Sequence, residues 1–205
     1  MKRSARQILK KWVKRPAINS YWYIYGRTIR NPKLPEKFDS VLFVCKGNIC
    51  RSPYAEYASP KVLKGTPFRH LKVHSAGLRV PVDQKSPPDA IAAAEALGVD
   101  MHSHISRPLT PQLVDHYDII LAMETWHVQS MKEKYPQNSN KFFLLPLYDP
   151  SKYGNSESFL NYNIEDPYGK PEERFRESFR RIERCIEGLI KQYGVNREKH
   201  TRQNM

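Results

Sequence analysis

The sequence predicts an α/β domain of three layers, in which a four-stranded parallel sheet lies between two layers of helices in a doubly wound order. Apolar, β-branched runs alternate along the chain with segments of helical length, and this alternation is typical of parallel strands joined by crossover helices. The first run, 41–44, contains no charged residue, as expected of a strand buried on both faces. In sheets of this class a ligand binds at the carboxyl ends of the strands.

The four predicted strands occupy residues 41–44, 71–75, 118–123 and 141–145. The five predicted helices occupy residues 53–59, 88–97, 110–116, 124–134 and 172–193. Ser52 and Pro53 predict the start of the first helix, because serine is a good N-cap and proline suits the first helical position. Pro60 is expected to shorten or kink this helix. Gly98 is expected to end the second helix, and Thr110 to cap the third.

The net charge of +13 is concentrated at the two ends of the chain. Residues 1–40 hold 11 Lys and Arg against Glu36 and Asp39, and residues 191–205 hold 4 against Glu198. The part between them carries a net charge of only +1, so no specific nucleic-acid partner is expected. The predicted organisation is a basic N-terminal extension over 1–38, a globular domain over 39–194 and a basic C-terminal tail over 195–205.

The N-terminal extension contains a short amphipathic helical pattern that ends at Pro16. Its apolar face would consist of Ile8, Leu9, Trp12 and Val13. A basic amphipathic helix can lie on an anionic membrane surface or bind an acidic partner, so peripheral contact through residues 1–30 is one interpretation. Packing of this face on the chain's own domain or on a partner subunit is a second, and an organelle-targeting peptide is a third.

The compartment is predicted from what the sequence lacks. Three cysteines do not form a disulfide framework, which favours a reducing compartment. No apolar run is long enough to span a bilayer, and no signal-peptide segment is apparent. We therefore expect a cytoplasmic protein, peripheral at the membrane if the extension binds there.

Residues 45–51 predict an anion site between the first strand and the first helix. A helix N-terminus favours anions because its backbone N–H groups are free and its dipole is positive there. Five residues separate Cys45 from Arg51, enough for the loop to curl around a tetrahedral oxyanion, and Gly47 is expected to supply the positive φ. Arg51 offers a planar fork for two oxygens. The same positive surroundings would hold Cys45 as a thiolate, the nucleophilic form.

The string Cys45-Lys-Gly-Asn-Ile-Cys-Arg51-Ser-Pro resembles the signature loop of the low-molecular-weight protein tyrosine phosphatases, and four later segments match that family in the same order. These segments are His74-Ser-Ala-Gly77, Gly98-Val-Asp-Met-His-Ser-His-Ile-Ser-Arg107, Tyr117-Asp-Ile-Ile-Leu-Ala-Met123 and Glu165-Asp-Pro-Tyr168. The resemblance covers about residues 39–193. It implies the phosphatase I-like fold and a metal-independent phosphatase that forms a phosphocysteine on Cys45.

A proton donor is also required, because a phenoxide or alkoxide leaves poorly without one. Two Asp-Pro pairs, which begin at Asp149 and Asp166, could supply it. From the residues alone either pair also suits an ordinary turn. The resemblance favours Asp166, which matches the family's general acid and would later act as base on the water that hydrolyses the phosphocysteine.

The resemblance implies further roles around the loop. Asn48, Ser75 and His104 match the network that holds the loop, and Ser52 matches the hydroxyl that donates to the thiolate. The residues expected to contact substrate are Lys46, Gly47, Asn48, Ile49, Cys50, Ser52 and Tyr168. Without the resemblance His104 is an ordinary core or surface histidine, and the histidine spacing supplies too few ligands for a metal. No metal and no cofactor is expected.

Two departures within the family bear on substrate. Ile49 fits members that accept aryl phosphates, whereas a small polar residue there is typical of relatives that act on phosphoarginine, so a phosphotyrosine protein is the expected substrate. Pro81 or Val82 replaces the cleft aromatic of the animal enzymes, and Gly169 replaces a second tyrosine. This pattern is closer to the bacterial branch, which often serves tyrosine kinases of capsule and exopolysaccharide synthesis. Lys46 either favours acidic or multiply phosphorylated segments or points to solvent.

Other interpretations stay open at this point. Arsenate reductases share the fold and loop but need two further cysteines, and only Cys185 lies outside the loop. A non-catalytic phosphotyrosine-binding or membrane-tethered module is disfavoured by the intact Cys45, Arg51 and Asp166. Cys50 either forms a reversible disulfide that protects Cys45 from over-oxidation, as the resemblance implies, or is a buried apolar cysteine.

Overall fold

The computed structural model describes residues 28–80, 83–151 and 159–203 of the chain. Within these residues the strands are β1 (Ser40–Cys45), β2 (Lys72–Gly77), β3 (Ile119–Ala122) and β4 (Phe142–Leu144). The helices are α1 (Arg51–Val62), α2 (Pro88–Glu95), α3 (Pro111–His116), α4 (Thr125–Lys134), α5 (Phe159–Tyr162) and α6 (Glu172–Gln203). Short 3₁₀ helices cover Pro136–Lys141 and Leu145–Tyr148.

The four strands form one parallel sheet in the spatial order β2-β1-β3-β4. Alternate residues of the central strand β1 enter two different apolar clusters. Val41 and Phe43 pack with side chains of α1, α2 and α6, whereas Leu42 and Val44 pack with those of α3 and α4. The sheet is therefore buried on both faces, and the predicted three-layer, doubly wound α/β fold is confirmed.

The start of α1 differs from the prediction in a way that matters for chemistry. The helix begins at Arg51, its N-cap residue is Cys50, and no side chain caps it by a hydrogen bond. The prediction that Ser52 is the N-cap is therefore wrong. The Ser52 hydroxyl lies inside the first helical turn, where it contacts the sulfur of Cys45 instead.

Two predicted helix ends are also wrong. Pro60 lies inside α1, which continues to Val62, because a proline in the last turn removes only one intrahelical hydrogen bond. Packing compensates for that loss, since the ring of Tyr54 stacks on that of Phe179 in α6 with 3.9 Å between centroids. The closing helix α6 continues past the predicted end at 193 to Gln203. Its apolar stripe does stop there, but the polar residues that follow still favour helix.

The described end of the predicted N-terminal extension packs on the domain. The hydroxyl of Tyr193 in α6 donates to the carbonyl of Glu36 at 2.7 Å, and the Phe38 ring lies 4.4 Å from the Tyr193 ring. The amphipathic pattern of residues 8–13 lies outside the described residues. No helix in the described ranges is long and apolar enough to cross a membrane.

Asn31 covers the edge of the sheet at β4. Its side-chain nitrogen donates to the carbonyl of Leu144 at 3.1 Å, and its side-chain oxygen accepts from the Leu144 N–H at 2.6 Å. Both peptide groups belong to a strand at the edge of the sheet, where they would otherwise lack a neighbouring strand. The Asn31 amide thus makes the two hydrogen bonds that a residue of a neighbouring strand would otherwise make.

Asn31→Ala is expected to lower the free energy of unfolding by about 1–3 kcal/mol, because it leaves a buried donor and a buried acceptor without partners. Urea denaturation measures this change. Asn138→Ala is the matched control, since its amide makes one exposed hydrogen bond, to Asp115, and should cost no more than about 0.5 kcal/mol. Equal losses for the two variants would contradict the edge-pairing role of Asn31.

Candidate active site

The loop between β1 and α1 places the sulfur of Cys45 in a buried, polar surrounding. Cys45 is the last residue of β1, and its side chain is almost fully buried. The sulfur lies 3.1 Å from the Ser52 hydroxyl oxygen and accepts the backbone N–H of Asn48 at 3.3 Å. A thiolate can only accept hydrogen bonds, so the Ser52 hydroxyl is the donor when Cys45 is ionised. Both contacts stabilise the nucleophilic form.

Asn48, not Gly47, supplies the left-handed turn of the loop. Asn48 has φ 53°, whereas Gly47 is not among the described glycines with positive φ, so the prediction for Gly47 is wrong. The buried Asn48 amide donates to the hydroxyls of Ser52 at 3.0 Å and Ser75 at 2.8 Å. The carbonyl of Asn48 lies 2.8 Å from Nε2 of His104, whose pKa is lowered by burial. The predicted support residues therefore meet at one turn.

The sequence analysis did not assign Glu56 and Arg107 to this network, and it did not identify the close packing at Gly77. The Ser75 hydroxyl donates to Glu56 at 2.7 Å. Arg107 donates its backbone N–H to the Asn48 side chain at 2.8 Å and its Nε to the Ser75 carbonyl at 2.7 Å. Gly77 has no space for a side chain, because a Cβ there would lie 2.9 Å from the backbone nitrogen of Asn48. A charged residue within the first helix was the only sequence signal for Glu56.

Arg51 is a buried cation held from two sides. Its Nη1 lies 2.5 Å from a carboxylate oxygen of Glu124 and donates to the carbonyl of Ile164 at 2.8 Å. Its Nη2 lies 2.7 Å from a carboxylate oxygen of Asp166. Burial opposes the charge of Arg51, but the negative charges of Cys45, Asp166 and Glu124 outweigh it and raise the arginine pKa. Nε is buried and has no partner among the described residues.

The two Asp-Pro pairs have different partners. Asp166 is partly exposed and contacts Arg51, so it lies at the mouth of the loop. Asp149 is buried and lies 3.0 Å from Nε of Arg181 in α6, with Arg184 at 3.5 Å. The structure therefore places Asp166 beside the loop, whereas Asp149 forms an ion pair with Arg181. The assignment of Asp166 as proton donor stays a prediction.

Comparison with known proteins agrees with this geometry. The profile of the family described as low molecular weight phosphotyrosine protein phosphatase matches residues 40–201. The chain belongs to this family. A relative named low molecular weight protein-tyrosine-phosphatase Etp, from Escherichia coli K12, is 36% identical over 157 residues, which are 76% of this chain and 95% of Etp. The resemblance inferred from the sequence is therefore confirmed.

Two solved phosphatase structures share the fold. The tyrosine phosphatase Wzb from Escherichia coli K30, in complex with sulphate, has a TM-score of 0.65 and 29% identity and aligns over 76% of this chain and 99% of its own. The YwlE arginine phosphatase from Geobacillus stearothermophilus has a TM-score of 0.64 and 27% identity over 80% and 97%. The fold thus includes proteins described as acting on two different phosphoryl groups.

The remaining residues predicted to contact substrate differ in their exposure to solvent. Lys46 is exposed, Ile49 is half-buried, and Tyr168 is 59% exposed beyond Asp166. Cys50 is buried, and burial followed by the negative charges of Cys45 and Asp166 raises the pKa of its thiol. Its redox role stays a prediction. No group of three or more His, Cys, Asp or Glu within the described ranges is placed to hold a metal ion.

Glu124 and His127 are linked residues that the sequence prediction did not assign. They form a capping box at the start of α4, in which the Glu124 side chain accepts the His127 backbone N–H. Nδ1 of His127 accepts the Glu124 N–H at 3.1 Å, which places the proton of the neutral ring on Nε2, 3.8 Å from the Glu124 carboxylate. Burial, then the charges of Arg51 and Lys46, lower the pKa of His127 to about 2.

His127→Asn is expected to make stability less dependent on pH. Native His127 stays neutral while the unfolded chain takes up a proton below its ordinary pKa of about 6.5, so the free energy of unfolding falls as pH falls from there towards the folded pKa. His127 contributes up to about 1.4 kcal/mol per pH unit to the change in the free energy of unfolding. Asparagine keeps an acceptor for the Glu124 N–H but does not titrate. Urea denaturation between pH 4 and about 7 compares the slopes.

The control for this experiment is His70→Asn, because it makes the same substitution at a side chain that is 65% exposed instead of buried. For His70→Asn the free energy of unfolding should change with pH as steeply as it does in the unchanged protein. If His127→Asn also leaves the slope unchanged, His127 is not held neutral in the folded protein.

Proposed function

We propose that the chain hydrolyses phosphotyrosine in proteins through a phosphocysteine intermediate on Cys45. The observation that carries this proposal is the buried Arg51 guanidinium, fixed by Glu124 and Asp166 at the mouth of the loop that contains the Cys45 sulfur. A fixed cation beside a nucleophile is what transfer of a phosphoryl group requires, because charge on the equatorial oxygens must be neutralised. Membership of the phosphatase family supports the same reaction.

In the first proposed step the phosphate of the substrate binds to the loop N–H groups and to Arg51, whose Nε has no partner in the described part of the chain and can donate to an oxygen. The Cys45 thiolate attacks phosphorus, the sulfur–phosphorus bond forms, and the bond between phosphorus and the tyrosine oxygen breaks. Asp166 protonates the departing phenoxide. In this step Asp166 begins as an acid and ends as a carboxylate.

In the second proposed step the Asp166 carboxylate takes a proton from water, and the water oxygen attacks phosphorus. The bond between sulfur and phosphorus breaks, and its electron pair returns to Cys45. The Ser52 hydroxyl lies close enough to donate to the thiolate that forms. Inorganic phosphate leaves, and both catalytic groups are restored.

An arsenate reductase is less well supported by the position of the third cysteine. Cys185 is fully buried in α6, and burial followed by the charge of Asp149 raises the pKa of its thiol. Asp149 belongs to the ion pair with Arg181, not to the loop. A cysteine held there as a thiol is poorly suited to relay a disulfide from Cys45. A non-catalytic binding module would not require the partly exposed carboxylate of Asp166 beside Arg51.

Phosphotyrosine is the preferred phosphoryl group in this proposal, and Ile49 supports it by lining the loop with an apolar side chain suited to an aryl ring. Phosphoarginine is the second candidate, because the aligned YwlE structure is described as an arginine phosphatase. A tyrosine kinase of capsule or exopolysaccharide synthesis is the proposed protein substrate, since the sequence pattern resembles the bacterial branch and the named relatives are bacterial.

Asp166→Asn is expected to lower kcat/KM for a phosphotyrosine peptide by about 10²–10⁴-fold, the usual contribution of a general acid. The loss should be smaller for a nitrophenyl phosphate, because its leaving group is a weaker base and needs less protonation. Steady-state kinetics in the presence of a chelator measures both. An equal loss for the two substrates would mean that Asp166 does not protonate the leaving group.

Two further variants complete this experiment. Cys45→Ser should abolish turnover of both substrates, and retained turnover would overturn the phosphocysteine intermediate. Asp149→Asn is the matched change in the other Asp-Pro pair and should lower stability, with kcat of the folded protein retained, because it breaks a buried ion pair. A phosphoarginine peptide hydrolysed with a higher kcat/KM than the phosphotyrosine peptide would make the second candidate the function.

We further propose that the basic segment 1–30 holds the protein at the anionic inner surface of a membrane. The first 35 residues contain no acidic residue, and a basic segment of this kind is attracted to anionic lipid. The full chain should co-sediment with phosphatidylserine vesicles at low salt, and deletion of residues 1–27 should abolish this binding. Unchanged binding after the deletion, or equal binding to neutral phosphatidylcholine vesicles, would contradict the proposal, and no binding to either kind of vesicle would favour an acidic protein partner.

A further inference from the structure

The backbones of two basic residues lie side by side at the loop that contains the proposed phosphate site. Lys46 directly follows the nucleophile in the chain and is exposed. Arg79, just beyond the carboxyl end of β2, is also exposed, and its backbone N–H donates to the carbonyl of Lys46 at 2.8 Å. This hydrogen bond fixes the two backbones side by side at the edge of the loop. Both side chains therefore begin within a few ångströms of the Cys45 backbone.

Trp126 holds the side chain of Arg79 at this edge. The Arg79 guanidinium carbon lies 5.7 Å from the centroid of the Trp126 ring, a cation–π distance. Trp126 belongs to the first turn of α4, two positions after the Glu124 that holds Arg51. The charge of Lys46 also reaches His127, the residue next to Trp126. We name Lys46, Arg79 and Trp126 the basic wall.

The basic wall carries charge that the described part of the protein does not neutralise. Within the described ranges neither Lys46 nor Arg79 forms an ion pair with a carboxylate. Arg51, in contrast, already has two carboxylates. Lys170 is likewise paired, since its nitrogen lies 2.9 Å from a carboxylate oxygen of Glu165. Lys46 and Arg79 are therefore available to an anion outside the protein.

We propose that the basic wall selects phosphotyrosyl segments that carry a second anionic group within a few residues of the phosphotyrosine. That group is a carboxylate of Asp or Glu, or a second phosphate. The inference rests on the proposed phosphatase function and adds a substrate class to it. The phosphotyrosine phosphate itself is bound by Arg51 and the loop amides, so Lys46 and Arg79 remain for the flanking residues. The Trp126 ring restricts Arg79, which lowers the entropic cost of ordering that side chain on binding.

The expected preference is modest and depends on salt. Two solvent-exposed ion pairs together correspond to about 3- to 10-fold in kcat/KM. Charges at a rim act chiefly on association, and screening weakens them as ionic strength rises. The ratio of kcat/KM for an anionic peptide to that for a neutral peptide should therefore be largest at low salt and decline towards one at about 1 M salt.

The test compares phosphotyrosine peptides of one sequence that differ only in their flanks: Asp and Glu, Asn and Gln, or a phosphoserine. The measured quantity is the ratio of kcat/KM for each anionic peptide to that for the neutral peptide. Arg79→Gln and Lys46→Gln should each lower this ratio by about 2- to 3-fold. Arg79→Lys keeps the charge over Trp126 and should keep most of the ratio. Because a ratio is measured, a general loss of activity does not mimic the effect.

The matched control is Arg69→Gln, which removes the same charge from an exposed residue at the amino end of β2, the opposite edge of the sheet. It should leave the ratio unchanged. A ratio above one for either the carboxylate or the doubly phosphorylated peptide, lost in Arg79→Gln, supports the inference and identifies which anion is bound.

Three outcomes would overturn it. Hydrolysis of all three peptides with equal kcat/KM by the unchanged protein removes the acidic preference but leaves the phosphatase proposal standing. Failure to hydrolyse any of them overturns both. An equal decrease of the ratio in Arg79→Gln and Arg69→Gln would show that the preference comes from overall net charge, and this too contradicts a role for the basic wall.

Discussion

The site depends on one buried charge, the guanidinium of Arg51. An unpaired charge in a protein interior costs several kcal/mol, so its burial requires carboxylates beside it. Glu124 comes from the carboxyl end of β3, Asp166 from the segment before α6, and the carbonyl of Ile164 completes the shell. These segments are distant in sequence, and the parallel sheet brings them to one edge. The pairing of Arg51 therefore fixes the position of the elements that surround the Cys45 sulfur.

The shape of the loop depends on a side-chain amide. A positive φ is unfavourable for most residues, but asparagine adopts it more readily than others. The amide of Asn48 then satisfies Ser52 and Ser75 and accepts the backbone N–H of Arg107. These buried hydrogen bonds offset the backbone strain. Glycine would adopt the same φ with less strain but would lack the side chain that makes these three hydrogen bonds, which explains why the turn lies at Asn48 and not at the neighbouring Gly47.

The periodicity of the sequence is sufficient to predict the sheet and most helices, because alternation of buried strands and amphipathic helices follows directly from burial. The spacing of Cys45 and Arg51 is likewise a local feature that the sequence shows directly. Contacts between side chains that are distant in sequence cannot be predicted in this way. Asp149 and Asp166 have the same local sequence, Asp-Pro, and differ only in the arginine that each contacts. Glu124 looks like an ordinary residue before a helix, so its contact with Arg51 becomes visible only in three dimensions.

The two carboxylates of Arg51 are not equivalent, and the difference fits the proposed chemistry. The Glu124 side chain is only 13% exposed and is also fixed by its capping box, whereas that of Asp166 is 40% exposed. An incoming phosphate dianion competes with both for the guanidinium. It can displace Asp166 at low cost, because water and a backbone N–H of the same turn can solvate the released carboxylate. Displacing Glu124 would leave a buried charge unpaired and uncap a helix. In the proposed reaction, phosphate binding would therefore release only the carboxylate that is proposed to exchange a proton, while Glu124 would continue to hold Arg51 in place.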